Sequence, residues 1–197
     1  MKQDAAGFVL AGGRSSRMGQ DKALLKLGGE ALVERCLRRL GEVCVEVAIA
    51  GGSADLARFG RIVPDMRPGC GPLGGIVSAL AESRFAWNLF LPVDAPFVAV
   101  SCLRELLSAA TASGTGAVAQ VEGRLQPLCG VYSKKMLAVF EQELTAGRWK
   151  VAQAIEAAGP VEVVDFQDAQ WFVNLNTPED FAEAEARLDE LGGEAKR

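Results

Sequence analysis

The sequence predicts an α/β fold, a three-layer α/β/α sandwich around a mostly parallel, Rossmann-like sheet. Two observations lead there. Short apolar runs alternate with segments of helical periodicity along most of the chain, the pattern of successive βαβ units. One of those runs, Asn88–Val93, is apolar without alternation from Leu89 onward, as a strand covered on both faces must be. A length of 197 residues suits one domain with a core of its own, and a single domain over 1–197 is expected.

The elements follow in order. Gly7–Ala11 is a first strand. Leu32, Val33, Cys36, Leu37 and Leu40 recur at helical spacing, which assigns Glu34, Arg35, Arg38 and Arg39 to the outer face. Val43–Ala50 is a second strand, and Arg61–Pro64 a short third that ends at Asp65. Gly71-Pro72-Leu73-Gly74-Gly75 opens a helix running to about Ser83, with proline suited to its first turn. Asn88–Val93 is the fourth strand and ends at Asp94. Ser101 is expected to cap a helix that turns Leu103, Leu106 and Leu107 inward. Ala117–Val121 and Gln126–Tyr132 read as strands around a Glu122-Gly123-Arg124 turn. Lys134–Leu144 and Val151–Ala158 read as helices, and Val161–Phe166 and Trp171–Asn174 as the last strands. Pro178–Leu191 is a helix capped by Thr177, and Gly192 to Arg197 are expected to fray.

Composition narrows the chemistry. A net charge of −4 argues against nucleic acid as the main partner, so a bound anion must meet local positive charge. The chain has no histidine, which removes histidine acid/base catalysis, catalytic triads and histidine-ligated metals. Five cysteines occur without any Cys-x-x-Cys, so neither a zinc site nor a disulfide framework is indicated. The first residues lack the basic start and apolar core of a signal peptide, and no run is long enough to span a membrane, so a cytoplasmic location is expected. Carboxylates, lysine, arginine, backbone amides and a hard metal ion are what remain.

Leu10 to Lys22 reads Leu-Ala-Gly-Gly-Arg-Ser-Ser-Arg-Met-Gly-Gln-Asp-Lys, a strand feeding a loop rich in glycine and positive charge. Glycines let backbone N–H groups approach an anion, while Arg14, Arg17 and Lys22 can neutralise it. The loop contains neither the Gly-Lys-Ser/Thr of a P-loop nor Gly-x-Gly-x-x-Gly. An ordinary glycine-rich βα turn is the plain alternative. Asp94 interrupts the apolar run from Leu89 to Phe97, where a charge is costly unless paired or bound to a cation. It is therefore either a Mg²⁺ ligand or the cap of a local backbone turn.

The loop resembles the signature of nucleotidyltransferases, and its form is most similar to that of the molybdenum cofactor guanylyltransferases. These attach GMP from GTP to the terminal phosphate of molybdopterin and release pyrophosphate. The resemblance implies a sheet of the nucleotide-diphospho-sugar transferase type and Mg²⁺ as cofactor. It also implies GTP and molybdopterin as substrates, with molybdoenzymes or other cofactor-biosynthesis proteins as candidate further partners. By the same match Leu10, Ala11, Gly12, Gly13 and Lys22 hold the nucleotide, Arg17, Lys22 and Asp94 are catalytic, and Asp94 carries the metal.

Pro64-Asp65 with Gly71 to Gly75 is similar to a second block, in which the aspartate contributes to the nucleotide site; strand-end capping is the alternative for Asp65. The match continues through Gln126-Pro127-Leu128, Val131-Tyr132 and Phe172 to Glu179. It implies an acceptor-binding role for Asn174 and Asn176, which alternate along an extended segment; Asn-Thr-Pro is also a common helix start. One departure is visible. Where relatives commonly carry an asparagine beyond the second strand, this chain reads Ile49-Ala50-Gly51-Gly52-Ser53, so either the amide contact is missing or Ser53 or a backbone group substitutes. Cytidylyl transfer to molybdopterin or another phosphorylated acceptor remains an alternative activity, although the Ala-Gly-Gly step favours guanine over the Ala-Ala-Gly typical of cytosine-using relatives. A non-catalytic cofactor-delivery module is the alternative of another class; an intact glycine loop, Lys22 and Asp94 weigh against it.

Overall fold

The computed structural model of the chain describes residues 1–12 and 21–194. Seven strands form one sheet: β1 (Gln3–Leu10), β4 (Cys44–Ala50), β5 (Ile62–Val63), β6 (Trp87–Pro92), β7 (Gly116–Val121), β8 (Arg124–Ser133) and β9 (Glu162–Phe166). Their spatial order is β5-β4-β1-β6-β8-β7-β9, and only β8 runs against the rest. The order turns back on itself at β1, whose neighbours are β4 on one side and β6 on the other. Ligands of open α/β sheets bind beyond the carboxyl ends of the strands at such a reversal. Here those ends are Leu10 and Pro92, which pair directly.

Helices cover both faces because successive side chains of a buried strand point to opposite sides. Val9 joins Leu32, Cys36 and Leu40 of α1 (Leu32–Gly41), Leu103 of α3 (Val100–Ser113) and Ala184 of α6 (Pro178–Glu194). Phe8 and Leu10 face the other way, onto Leu73 and Ile76 of α2 (Pro72–Glu82), Phe140 of α4 (Leu137–Thr145) and Ile155 of α5 (Val151–Ala158). On that second face Phe8, Phe90, Tyr132 and Phe140 form an aromatic row with centroid spacings of 5.4, 5.7 and 5.6 Å. Phe90→Ala in this fully buried row would cost about 3–5 kcal/mol. The sandwich, its mostly parallel sheet and the Glu122–Arg124 turn all match expectation.

Several local expectations are corrected. Trp171–Asn174 is not a strand: residues Ala169–Phe172 form a 3-10 turn whose start is capped by the Asp168 carboxylate accepting from the Gln170 N–H at 3.0 Å. That turn folds Phe172 onto Phe166, 5.6 Å between centroids. Ser101 does not cap α3, which begins one residue earlier behind Ala99. Arg35 is buried rather than solvated, donating to the Leu27 carbonyl at 3.0 Å with Glu30 at 3.3 Å. Its partners lie on a small hairpin, β2 (Lys26–Leu27) and β3 (Glu30–Ala31), turned by Gly28 and Gly29 at φ 59° and 81°. Two glycines in that region suit a tight hairpin turn. Helix α6 runs on to Glu194, past the fraying expected from Gly192.

Candidate active site

The site is built where β1 and β6 end. Past β1 the chain continues through Ala11, whose N–H donates to Ala50, and Gly12. Past β6 a turn closed by Ala95 N–H on Pro92 O presents Asp94. The Asp94 backbone carbonyl is itself engaged, accepting from the Leu175 N–H at 2.9 Å, which joins the carboxy-terminal segment to this turn. Its carboxylate remains for the cleft.

Lys22 enters from the far end of the glycine loop on a 3-10 turn, Lys22–Leu24. Asp21 caps that turn by accepting from the Ala23 N–H at 3.0 Å, and its other oxygen accepts from the Ser53 hydroxyl at 3.0 Å. So aimed, the Lys22 ammonium lies 3.4 Å from Asp94 Oδ2 and 2.8 Å from Asn176 Oδ1. Asn176 is fixed in turn by Asp180, whose carboxylate accepts from the N–H groups of Asn176 (2.7 Å) and Thr177 (2.8 Å), while the Thr177 hydroxyl accepts from Asp180 N–H at 3.1 Å. This reciprocal cap starts α6. The two backbone donors hold the Asp180 carboxyl below the usual carboxylate range.

Two cavities meet at Asp94. The first, about 230 Å³, is lined by Leu10, Ala11 and Gly12 of the strand end, by Asp21 and Lys22, and by Pro72 at the start of α2. The second, about 200 Å³, lies between Gln126 to Cys129 of β8 and Phe172 and Asn174. Pro92, Asp94 and Leu128 line both. The first has one ammonium, two carboxylates and the α2 start on its walls; the second is mainly apolar with two carboxamides.

The structure thus brings Leu10, Ala11, Gly12, Lys22 and Asp94 together. Asn174 lies in the second cavity, whereas Asn176 turns to Lys22, so the two amides part company. Asp65 follows β5, where its carboxylate accepts from the Arg67 N–H at 2.8 Å, and it lines neither cavity. Gly13 and Arg17 lie outside the described residues. At the departure noted above, Gly52 has φ 86°, and a Cβ on it would meet Leu56 at 2.5 Å and Ala11 at 3.3 Å. The glycine pair lets β4 pack tightly behind the first cavity, while Ser53 reaches Asp21.

Sequence reasoning did not single out Asp21 or Asp180, and it placed Gln126 and Phe172 in matching blocks without giving either a role. Asp180 had a readable signal, since Thr177 followed three residues later by an acid is a capping pattern. Among the described residues no group of three or more Asp, Glu, Cys or His gathers as a metal site, and no helix is long and apolar enough to cross a membrane.

Residues 7–160 match the family model described as the MobA-like NTP transferase domain, and the chain belongs to that family. A probable molybdenum cofactor guanylyltransferase of Pelotomaculum thermopropionicum is 38% identical over 195 residues, covering 91% of each chain. The molybdenum cofactor guanylyltransferase of Cereibacter sphaeroides is 38% identical over 190 residues, covering 92% of this chain and 96% of its own. In fold the chain is similar to the crystal structure of molybdopterin-guanine dinucleotide biosynthesis protein A from Archaeoglobus fulgidus. The TM-score is 0.78 and the identity 22%, with 94% of this chain and 99% of that one covered.

Proposed function

We propose that the chain transfers GMP from GTP to the terminal phosphate of molybdopterin. An acceptor phosphate oxygen bonds to the α-phosphorus as the α–β bridging P–O bond breaks, and pyrophosphate leaves. The observation that carries this reading is Asp94 at the junction of two cavities, with the Lys22 ammonium 3.4 Å from it. Two polyanions approaching from either side would meet there. A phosphate oxygen is already nucleophilic at neutral pH, so no general base is required, in keeping with a chain without histidine. The demands are alignment and charge neutralisation.

Each residue then has a defined task. Backbone groups from Leu10 to Gly13 and the Lys22 ammonium bind the triphosphate; Arg17 adds charge to the leaving pyrophosphate. Asn174 binds acceptor. Asp65 contributes to the nucleotide site by bracing the turn before α2, since its carboxylate lies against Gly74 and holds Arg67. The Asp94 carboxylate is a hard oxygen donor that lines both cavities, which suits a Mg²⁺ site completed by substrate phosphates and water. Asp94 would hold that ion, which when bound supplies positive charge to the phosphates. Relatives bearing the guanylyltransferase name at 38% identity support guanylyl over cytidylyl transfer. In this reading the chain works as one domain over 1–197 in the cytoplasm, handing its product to molybdoenzymes or other cofactor-biosynthesis proteins.

The test is direct. Protein incubated with GTP, MgCl₂ and purified molybdopterin should yield a guanine dinucleotide detectable by mass spectrometry, with one pyrophosphate per nucleotide transferred. Absence of that product at saturating substrate would overturn the reading.

A further inference from the structure

Strand β8 is interrupted where it borders the second cavity. Along β7 the partners step from Val118 to Ala119, while along β8 they jump from Gly130 to Gln126, so Pro127, Leu128 and Cys129 are looped out of the ladder. A proline without an N–H is suited to such a bulge, and bulges beside clefts re-aim side chains. The bulge is fastened from beneath. The Tyr132 hydroxyl donates to the Pro127 carbonyl, and a Cβ on Gly130 would come within 3.0 Å of that hydroxyl and 2.9 Å of the Ala117 carbonyl. The Tyr132 ring is fully buried between Phe90 and Phe140, so its hydroxyl is the polar tip of an otherwise apolar row.

The bulge sets the shape of the second cavity. Pro127, Leu128 and Phe172 give it apolar walls on which a flat ring can lie, and Gln126 and Asn174 supply its two carboxamides. The Gln126 side chain lines this cavity together with Asn174. A carboxamide offers two donors and an acceptor on one plane, a match for a heterocycle edge carrying adjacent N–H and C=O groups. An acceptor with its phosphate at Asp94 must extend along this cavity, which brings its ring system toward Gln126.

We propose that Gln126 is an acceptor-binding residue that pairs with the pterin edge, and that Tyr132 is its positioning residue, latching the Pro127–Cys129 bulge. The inference rests on the acceptor reading above and deepens it. Selectivity for the ring, as distinct from the phosphate, would reside in β8.

The experiment measures transfer kinetics with purified molybdopterin, together with calorimetric GTP affinity, for wild type, Gln126→Met and Tyr132→Phe. Gln126→Met keeps the length and volume but loses the donors and acceptor. It should raise the acceptor KM about 10-fold or more, as loss of a buried pairing group does. Tyr132→Phe keeps the aromatic packing and should raise acceptor KM roughly 3- to 10-fold, the range of one ordinary hydrogen bond. In both, acceptor KM should rise by more than kcat falls, and GTP affinity should stay within about 2-fold of wild type. Wild-type acceptor KM in Gln126→Met, or equal losses of GTP and acceptor affinity, would overturn the inference while leaving guanylyl transfer standing. If Tyr132→Phe proves unstable on thermal melting, Gln126→Met alone decides. A wild-type protein that transfers nothing would overturn the acceptor reading and this inference with it.

Discussion

The Lys22 ammonium donates to the Asn176 side-chain oxygen at 2.8 Å, joining residues 154 positions apart in sequence. Asp21 and Ser53 fix the lysine from one side, and Asp180 fixes the asparagine from the other. The carboxy-terminal segment therefore reaches the first cavity through Asn176 as well as the second through Asn174.

Lys22→Ala should weaken GTP binding about 10- to 100-fold, the scale of one lost charged hydrogen bond, and slow transfer as well. Its turn is held by Asp21 and backbone contacts that the substitution leaves in place. Far-UV circular dichroism should match wild type. An unfolded variant that keeps its nucleotide affinity would make Lys22 a structural residue.

For Asp94→Ala the fold should survive, because the backbone of Asp94, rather than its side chain, binds Leu175 and follows the Ala95–Pro92 turn. Turnover should fall at least ~10²-fold, as on removal of a principal electrostatic stabiliser. Steady-state rates across a Mg²⁺ titration check this. Wild-type rates with an unchanged Mg²⁺ dependence would remove Asp94 from the reaction.

The two asparagines should behave differently. Asn174→Ala, in the second cavity, should raise the acceptor KM about 3- to 10-fold and leave GTP affinity unaltered. Asn176→Ala should weaken GTP binding about 3-fold, since Lys22 loses a partner that restricts its rotamers. Isothermal titration with GTP separates them. Identical profiles for the two variants would contradict the division of the cleft at Asp94.

Much of this was readable from residues near one another in sequence. The strand–helix alternation, the glycine loop leading to Lys22, and Asp94 closing an apolar strand depend on local periodicity and on the cost of a charge in an apolar run. What escaped depends on distant partners. Arg35 looks like a solvated helix residue until Leu27 and Glu30 fold back over it on a hairpin of two-residue strands, too short to show alternation. Trp171–Asn174 has the composition of a strand but no neighbour to pair with, and Asp168 caps it into a turn. The β8 bulge is tied to the Tyr132 hydroxyl through the Pro127 carbonyl, a contact that no spacing rule announces. Asn174 and Asn176 alternate in sequence, which predicts a shared side, yet they turn to different partners, and which one meets Lys22 depends on a contact across the whole chain.

The central claim is guanylyl transfer, and base choice tests it most directly. Guanine presents N1 and N2 donors beside an O6 acceptor, whereas cytosine is smaller with a different edge. Polar groups of a pocket formed at the Leu10–Gly12 strand end and matched to the first are left unpaired by the second. Glycine at position 12, with nothing among the described residues within 4 Å of where a Cβ would stand, also leaves room for the larger purine. The measurement is pyrophosphate release with purified molybdopterin, comparing kcat/KM for GTP and CTP under the same conditions. A GTP preference of at least ~10²-fold is expected, the lower end of hydrogen-bond discrimination. Equal use of the two nucleotides, or a preference for CTP, would contradict guanylyl transfer while leaving nucleotidyl transfer intact.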